Sequence, residues 1–298
     1  MNKLKFSGHE TFIIRTFWPK KGYDFINNGG SFNADDAVVH LGVGKNMVSS
    51  IAFWMKAFGL FDDENKELTE LAHFLFGENG VDPYLEDINS IWLLHYNLIK
   101  TNFSSIYNAV FNRFRTERIV FTKKQLASFI FRLYKENDDT NFNLSTIEKD
   151  IQVFCRLYNT PDYRNIKKDF EDEVSSLMLE LELMKSSIDK QEIDGSSKRV
   201  EWYNLQLDAR PTLSPLIALY VILDQFEGDK NIAMRRLETE PNGPGMVFML
   251  SKEGLYKQLK EIESSIPGVI VSETSGNVVL TLPETINKVS ILRSYYAN

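Results

Sequence analysis

The 298-residue sequence predicts a mainly α protein with small β-hairpins, an α+β arrangement in which tandem winged helix-turn-helix units flank a helical middle block. Three observations predict it. Two short helical patterns are separated by a glycine-containing breaker between Ala34 and Phe58. Apolar residues recur at spacings of three and four through most of 83–160, the signature of helices burying one face. Near the C-terminus an amphipathic stretch is followed directly by two strand-like runs around Ser275-Gly276. Because domains commonly hold roughly 100 to 200 residues, a chain of this length is expected to divide. The divisions read as an N-terminal winged helix-turn-helix over 1–82, a helical block over 83–160, a charged connector over 161–208 and a C-terminal winged-helix unit over 209–298.

In the first unit, Ala34–Leu41 is a short helix, Gly42-Val43-Gly44 interrupts it, and Lys45–Phe58 is a second helix. Met47, Val48, Ile51, Ala52, Met55 and Phe58 form its apolar stripe, leaving Lys45, Asn46, Ser49, Ser50 and Lys56 on the other side. Phe53 and Trp54 are expected on or near the exposed side, which is the pattern of a protein-docking surface. Leu60 to Leu68 reads as strand, polar turn and returning strand, a wing; Leu71–Phe76 starts another helix.

The middle block reads as helices over Leu85–Lys100, Ser104–Phe114, Thr122–Glu136 and Ser145–Tyr158. Thr122 suits an N-cap, and Ser145 with Glu148 reads as a capping box. Ile119-Val120-Phe121 is strand-like, so the last pair of helices resembles a degenerate second helix-turn-helix. In the connector, a helix is expected over Phe170–Met184, a flexible segment at Ile193–Ser197, and a strand over Arg199–Asp208. The last unit reads as helices at Ser214–Phe226 and Ile232–Leu237, a strand at Met246–Leu250, a Ser-capped helix at Ser251–Ser265 and a hairpin from Ile270 to Leu282.

Little in the sequence points to catalysis. A single cysteine, Cys155, rules out an internal disulfide and any thiolate cluster. His9, His40, His73 and His95 lack helical metal-ligand spacing, so no metal or cofactor is expected. Gly42-Val43-Gly44-Lys45-Asn46 fails as a phosphate loop: Val39 stands where the first glycine belongs and Asn46 where a magnesium-binding hydroxyl belongs. The pairs Asp35-Asp36, Asp62-Asp63 and Asp138-Asp139 fall at helix starts and loop tips, where Asp caps amides or stays solvated. His9-Glu10 is the one pair at which an enzymatic reading could start. The N-terminal residues predict no secretory signal, and no apolar run approaches the roughly 20 residues of a membrane span, so a cytoplasmic protein without membrane contact is expected.

Charge directs attention to nucleic acid by its distribution, since the net value is -7. Residues 1–60 carry seven Lys/Arg against four acids, and Lys100–Lys135 carries eight against Glu117 alone. In a helix-turn-helix the second helix enters the major groove with small, polar or cationic side chains near its N-terminus. Lys45, Asn46, Ser49, Ser50 and Lys56 fit that role at double-stranded DNA, and Arg113, Arg115, Lys123 and Lys124 are expected on its backbone. On the C-terminal helix, Glu253, Glu261 and Glu263 offset Lys252, Lys257 and Lys260, so that unit suits homodimerisation or partner docking as well as DNA.

Phe6-Ser7-Gly8-His9-Glu10-Thr11-Phe12, Leu41–Val48, Asp82-Pro83-Tyr84-Leu85-Glu86-Asp87, Phe170–Glu173 and Gly243–Phe248 resemble the signature blocks of a bacterial family catalogued as domain of unknown function four thousand and seven. Leu177–Leu183 departs from that pattern, which has a proline-containing stretch there. The resemblance implies genes that lie beside a phosphoadenosine-phosphosulfate-reductase-like protein in DNA phosphorothioation or phage-defence loci. It also implies partner proteins, and it carries no catalytic residues. The expected function is a non-catalytic, DNA-binding accessory protein of such a system; the alternative is an adaptor whose winged-helix folds dock a partner enzyme.

Overall fold

The computed structural model describes residues 3–138, 142–159, 176–193 and 196–297. Among the described residues helices dominate and three small antiparallel sheets are set among them. A first helix, α1 (Trp18–Asn27), carries Pro19 in its first turn, where a missing N–H costs nothing, and buries Trp18, Tyr23 and Phe25. Pattern reading from Asn33 onward missed this helix. Then come α2 (Ala37–Leu41) and α3 (Lys45–Ala57). Gly42 ends α2 in the left-handed conformation (φ 60°), which glycine adopts without steric cost. Gly22 lets α1 lie directly on α3, since a β-carbon there would stand 2.9 Å from Met55 and 3.1 Å from Ile51. A two-stranded hairpin, β1 (Phe61–Asp62) and β2 (Glu67–Leu68), and α4 (Glu70–Phe76) complete this end.

The middle of the chain is organised by α5 (Ile88–Thr101), almost all of which is buried. After it, α6 (Ser105–Ala109) widens into a π-turn at Val110–Phe114 and closes in α7 (Arg115–Glu117). A π-turn places an extra residue in the helix and shifts the face that follows. Here Asn112 is turned onto Asn242, the two exchanging amide hydrogen bonds of 2.8 Å. Strand β3 (Val120–Phe121) leads into α8 (Lys123–Glu136), whose N-terminus is closed by a capping box between Thr122 and Gln125. Helix α9 (Leu144–Tyr158) starts one residue ahead of the expected Ser145, because the Asn143 side chain caps it by accepting the Thr146 amide.

Among its described residues the connector is largely β structure. Of the helix expected over Phe170–Met184, residues 170–175 lie outside the described residues; Leu177–Leu181 is a 3-10 turn and Met184 opens a strand. Strands β4 (Met184–Ile193) and β5 (Ser196–Leu205) pair in register from Met184 with Leu205 to Ile193 with Ser196, and β3 joins the outer side of β5. Of the segment read as flexible, Ile193 ends β4 and Ser196 and Ser197 open β5, while residues 194–195 lie outside the described residues. Ladder hydrogen bonds decide this, and a polar, two-sided strand has no apolar alternation to reveal it.

The C-terminal part comprises α10 (Pro215–Gln225), β6 (Asn231–Ala233), α11 (Met234–Thr239), α12 (Pro244–Val247), α13 (Lys252–Ser265), β7 (Ile270–Thr274), β8 (Asn277–Thr281) and α14 (Lys288–Tyr296). Strand β8 lies between β6 and β7. The strand expected over Met246–Leu250 is instead the end of α12 and a buried turn, Pro244 having started a helix. One hydrophobic core runs from Ile13 to Leu292 through most of these elements. A second, small core of Phe25, Ala37, Leu41 and Val48 seats α2 and α3.

The end of α12 shows how the parts are joined. Its last carbonyls have no partners within the helix. Arg115 donates to the carbonyls of Gly245 (2.7 Å) and Met246 (2.8 Å), His95 Nε2 to Val247 (2.8 Å) and Arg210 Nε to Phe248 (3.0 Å). Burial lowers both guanidinium groups to about 10 and the His95 imidazole to about 3. The Tyr158 hydroxyl completes His95 by donating to Nδ1 at 2.9 Å, leaving the ring neutral. Nearby, burial pushes the Asp224 carboxyl up, but hydrogen bonds from Lys100, Lys288 and Tyr96 outweigh it and hold it below the usual carboxylate range.

Candidate nucleic-acid interface

Helix α3 begins at Gly44, which has no side chain to cap it. The Gly44 carbonyl receives the Met47 and Val48 amides, so the first amides of the helix point outward with no cap over them. Lys45, Asn46 and Ser49 are exposed around this end, and Lys45 makes no ion pair among the described residues. Such an end attracts anions, through its free N–H groups and its partial positive charge. The hairpin β1–β2 follows on the C-terminal side of the same helix.

Three of the expected DNA contacts lie elsewhere. Ser50 is fully buried and its hydroxyl has no partner among the described residues, because the helix packs on more than one side and Ser50 falls inside. Lys56 is 23% exposed and binds Asp63 in the hairpin turn at 2.9 Å, so its charge is used to fasten the hairpin to α3. Lys66 adds a second contact to Asp63, and these hydrogen bonds hold that carboxyl below its usual range. Arg115 is committed to the α12 carbonyls. Phe53 and Trp54 are buried, not exposed: Phe53 packs edge-on to His9, Trp54 and Phe103, and the Trp54 indole donates to the Phe12 carbonyl at 3.2 Å.

The second basic stretch is mostly neutralised. Arg113 pairs with Glu136 at 2.7 Å, Lys123 with Glu201 at 3.4 Å, Arg132 with Glu117 and Glu136, and Lys100 with Asp224. Lys124 remains exposed on α8 without an ion pair among the described residues.

The His9–Glu10 region is a structural clasp. Ser7, Gly8, Glu10 and Thr11 all have positive φ, a strained run for non-glycine residues. Buried His9 holds it: the Thr11 amide donates to Nδ1 at 3.1 Å, and Nε2 faces Asp150 Oδ1 at 3.0 Å. An N–H aimed at Nδ1 places the ring proton on Nε2, which donates it to Asp150, so both ring nitrogens are engaged within the clasp. Asp150 also accepts the Ser7 amide. Among the described residues, no three His, Cys, Asp or Glu side chains group as metal ligands. Cys155 is buried and its thiol pushed up to about 12 by that burial, which makes it unreactive. Among the described residues no helix is long and apolar enough to cross a membrane.

Pattern reading missed Phe17 and Tyr84, which are 67% and 56% exposed and line one open cleft beside α1 and α2. Neither lies on a periodic face, so only their exposure in the fold reveals them.

The fold is similar to two solved structures of SspB, one of them magnesium ion-bound. Each superposes with a TM-score of 0.81 and covers 99% of this chain and 88% of the other, at 28% identity for the magnesium-bound structure and 29% for the second. No curated protein matches the sequence at a significant level. The family model described as "Protein of unknown function (DUF4007)" matches residues 6–296, so the chain belongs to the DUF4007 family.

Proposed function

We propose that the protein is a DNA-binding accessory component of a bacterial DNA-modification or phage-defence system, reading double-stranded DNA with the N-terminus of α3. The observation that carries this is the uncapped helix start ringed by Lys45, Asn46 and Ser49. Asn can pair bidentately with adenine and Lys can reach guanine or phosphate. Helix, turn, helix and hairpin in that order support a winged helix-turn-helix reading of this end. The arrangement of α10 to β8, with β6 joining the hairpin β7–β8, supports the same reading of the other end. There Lys257 and Lys260 are paired with Glu261 and Glu263, which favours docking or dimerisation over DNA contact. Membership of the family and similarity to SspB support the setting, in which a partner protein of the same modification or defence complex is expected.

Fluorescence-anisotropy titration of short duplexes at two salt concentrations tests the reading. Because a similar structure is magnesium-bound, the titration is run with and without magnesium and the strands are checked for scission. Affinity should fall steeply with salt, since each neutralised phosphate releases counterions; binding indifferent to salt and to Lys45→Ala/Asn46→Ala would overturn it. A second reading, an assembly adaptor, is favoured by the exposed apolar side chains Phe17, Val39 and Tyr84. Co-purification of a partner that survives nuclease and high salt supports that reading.

A further inference from the structure

The cleft that Phe17 and Tyr84 line has a volume of 690 Å³ and lies between α1, the turn at 28–34 and α2. That is within the range of about 300–1,000 Å³ typical of small-ligand sites. Its floor is shared with the core that seats α3, since Phe25 and Leu41 belong to both.

Neither aromatic is needed by the fold. Phe17 precedes α1, while its neighbours Ile13, Ile14 and Trp18 fill the core. In the loop that carries Tyr84, the Asp82 carboxylate accepts the Glu86 and Asp87 amides at 2.9 and 3.1 Å, Leu85 is buried, and Asp87 caps α5. The Tyr84 ring stands outside this construction, and among the described residues neither ring packs on another aromatic. Two unsupported rings at one cleft are surfaces on which a flat ligand can stack.

The polar groups narrow the ligand. Asp24 and Asp36 supply carboxylate acceptors, and Lys20 and Lys21 supply cations. Lys20 lies on Asp24, Lys21 donates to the Leu41 carbonyl at 2.9 Å, and His40 faces Asp36 at 3.3 Å. A cleft this evenly balanced does not select a polyanion. It suits a neutral ring with an exocyclic amine for a carboxylate to accept, attached to a single phosphate within reach of a lysine.

Resting on the DNA-binding reading, we propose that this cleft receives one unstacked, amine-bearing nucleobase, that is adenine, cytosine or guanine and not thymine, from single-stranded or locally opened DNA beside the duplex held by α3. Stacking on Phe17 and Tyr84 offsets the cost of unstacking the base, which is lowest where a strand is already open.

The test uses the full chain and labelled probes: oligo(dA), oligo(dC) and oligo(dT) of about ten nucleotides and a duplex of about 20 base pairs, on the scale of known site sizes. Oligo(dA) and oligo(dC) should bind at least about fivefold tighter than oligo(dT), which lacks the amine. Phe17→Leu/Tyr84→Leu, which keeps apolar area, should weaken both by about tenfold or more while duplex affinity stays within about twofold; Phe17→Trp/Tyr84→Trp should retain them. Lys45→Ala/Asn46→Ala should do the reverse, losing duplex and keeping single strands. Equal affinity for the three oligonucleotides overturns the proposal, as does indifference to the leucine pair, the result expected of a protein-docking patch. Duplex binding without single-strand binding removes the cleft and leaves the α3 reading intact. Single-strand binding without duplex binding does the opposite, and absence of both removes the two together.

Discussion

The two basic stretches of the chain exchange their apparent importance in the folded protein. Lys100–Lys135 is the more cationic in sequence, yet Lys100, Arg113, Arg115, Lys123 and Arg132 are all bound to acids or carbonyls within the molecule. Its helix start at Thr122 is closed by a capping box. The N-terminal stretch is less charged, but it offers an uncapped helix start with Lys45, Asn46 and Ser49 in the open. What a ligand meets depends on the cations left over after the fold has used the rest, and on which helix ends remain free. Glu117 and Glu136 neutralise Arg132 and Arg113 from within or beside the stretch, and acids remote in sequence do the rest: Asp224 and Glu201 lie outside the window that looked so basic.

The largest effect should come from the stretch with the structural role. Arg115→Ala removes two charge-assisted hydrogen bonds, strands the Gly245 carbonyl and leaves that of Met246 with the Met249 amide at 3.4 Å, so urea unfolding should register a loss of about 3 kcal/mol. An unchanged midpoint would return Arg115 to the list of free cations. Beside it, His95 makes the same region acid-sensitive. Its folded value, about 3, lies below the ordinary 6.5, so only the unfolded chain takes up the proton between them. Stability is therefore complete above pH 6.5 and declines as pH falls toward 3, by about 1.4 kcal/mol per pH unit, or about 2 kcal/mol at pH 5. Urea midpoints at pH 7 and pH 5 measure this, and in His95→Gln the decline should be shallower.

Binding effects come next. Lys45→Ala/Asn46→Ala should weaken duplex binding by about tenfold with unchanged melting, whereas Lys123→Ala/Lys124→Ala should weaken it by no more than about threefold. Equal losses would mean that the two stretches face DNA together. The smallest change is expected for Lys56→Ala, which breaks a partly exposed pair with Asp63 and should cost about 0.5 kcal/mol in thermal unfolding.

Much of this architecture was legible in the sequence where local signals are strong. The α2–Gly42–α3 turn, the Thr122 cap and the Ser275-Gly276 hairpin follow from φ preferences and capping chemistry that act within a few residues. Where partners are remote, the signal fails. The β4–β5 hairpin has no apolar alternation along its polar length, and α12 begins at a proline that also reads as a turn. Of the expected site, Lys45, Asn46 and Ser49 emerge together, while Ser50 was misplaced because α3 is buried over more than half its circumference. Arg115 was misjudged for another reason: nothing local distinguishes an arginine that meets solvent from one that meets carbonyls 130 positions away.

The row of carbonyls from Gly245 to Phe248 has a consequence for dissecting the chain. Its hydrogen-bond donors come from α5, from the end of the π-turn and from the loop before α10, and each donor is buried or half-buried. A fragment stopping short of residue 240 would leave the half-buried Arg115 guanidinium and the buried His95 Nε2 without their carbonyl acceptors, and Arg210 without that of Phe248. A fragment starting at 209 would expose the same carbonyls bare of His95 and Arg115. Neither half should be recoverable as a soluble, cooperatively folding piece, so limited proteolysis should trim the ends and surface loops of this protein and then stall, or digest it entirely.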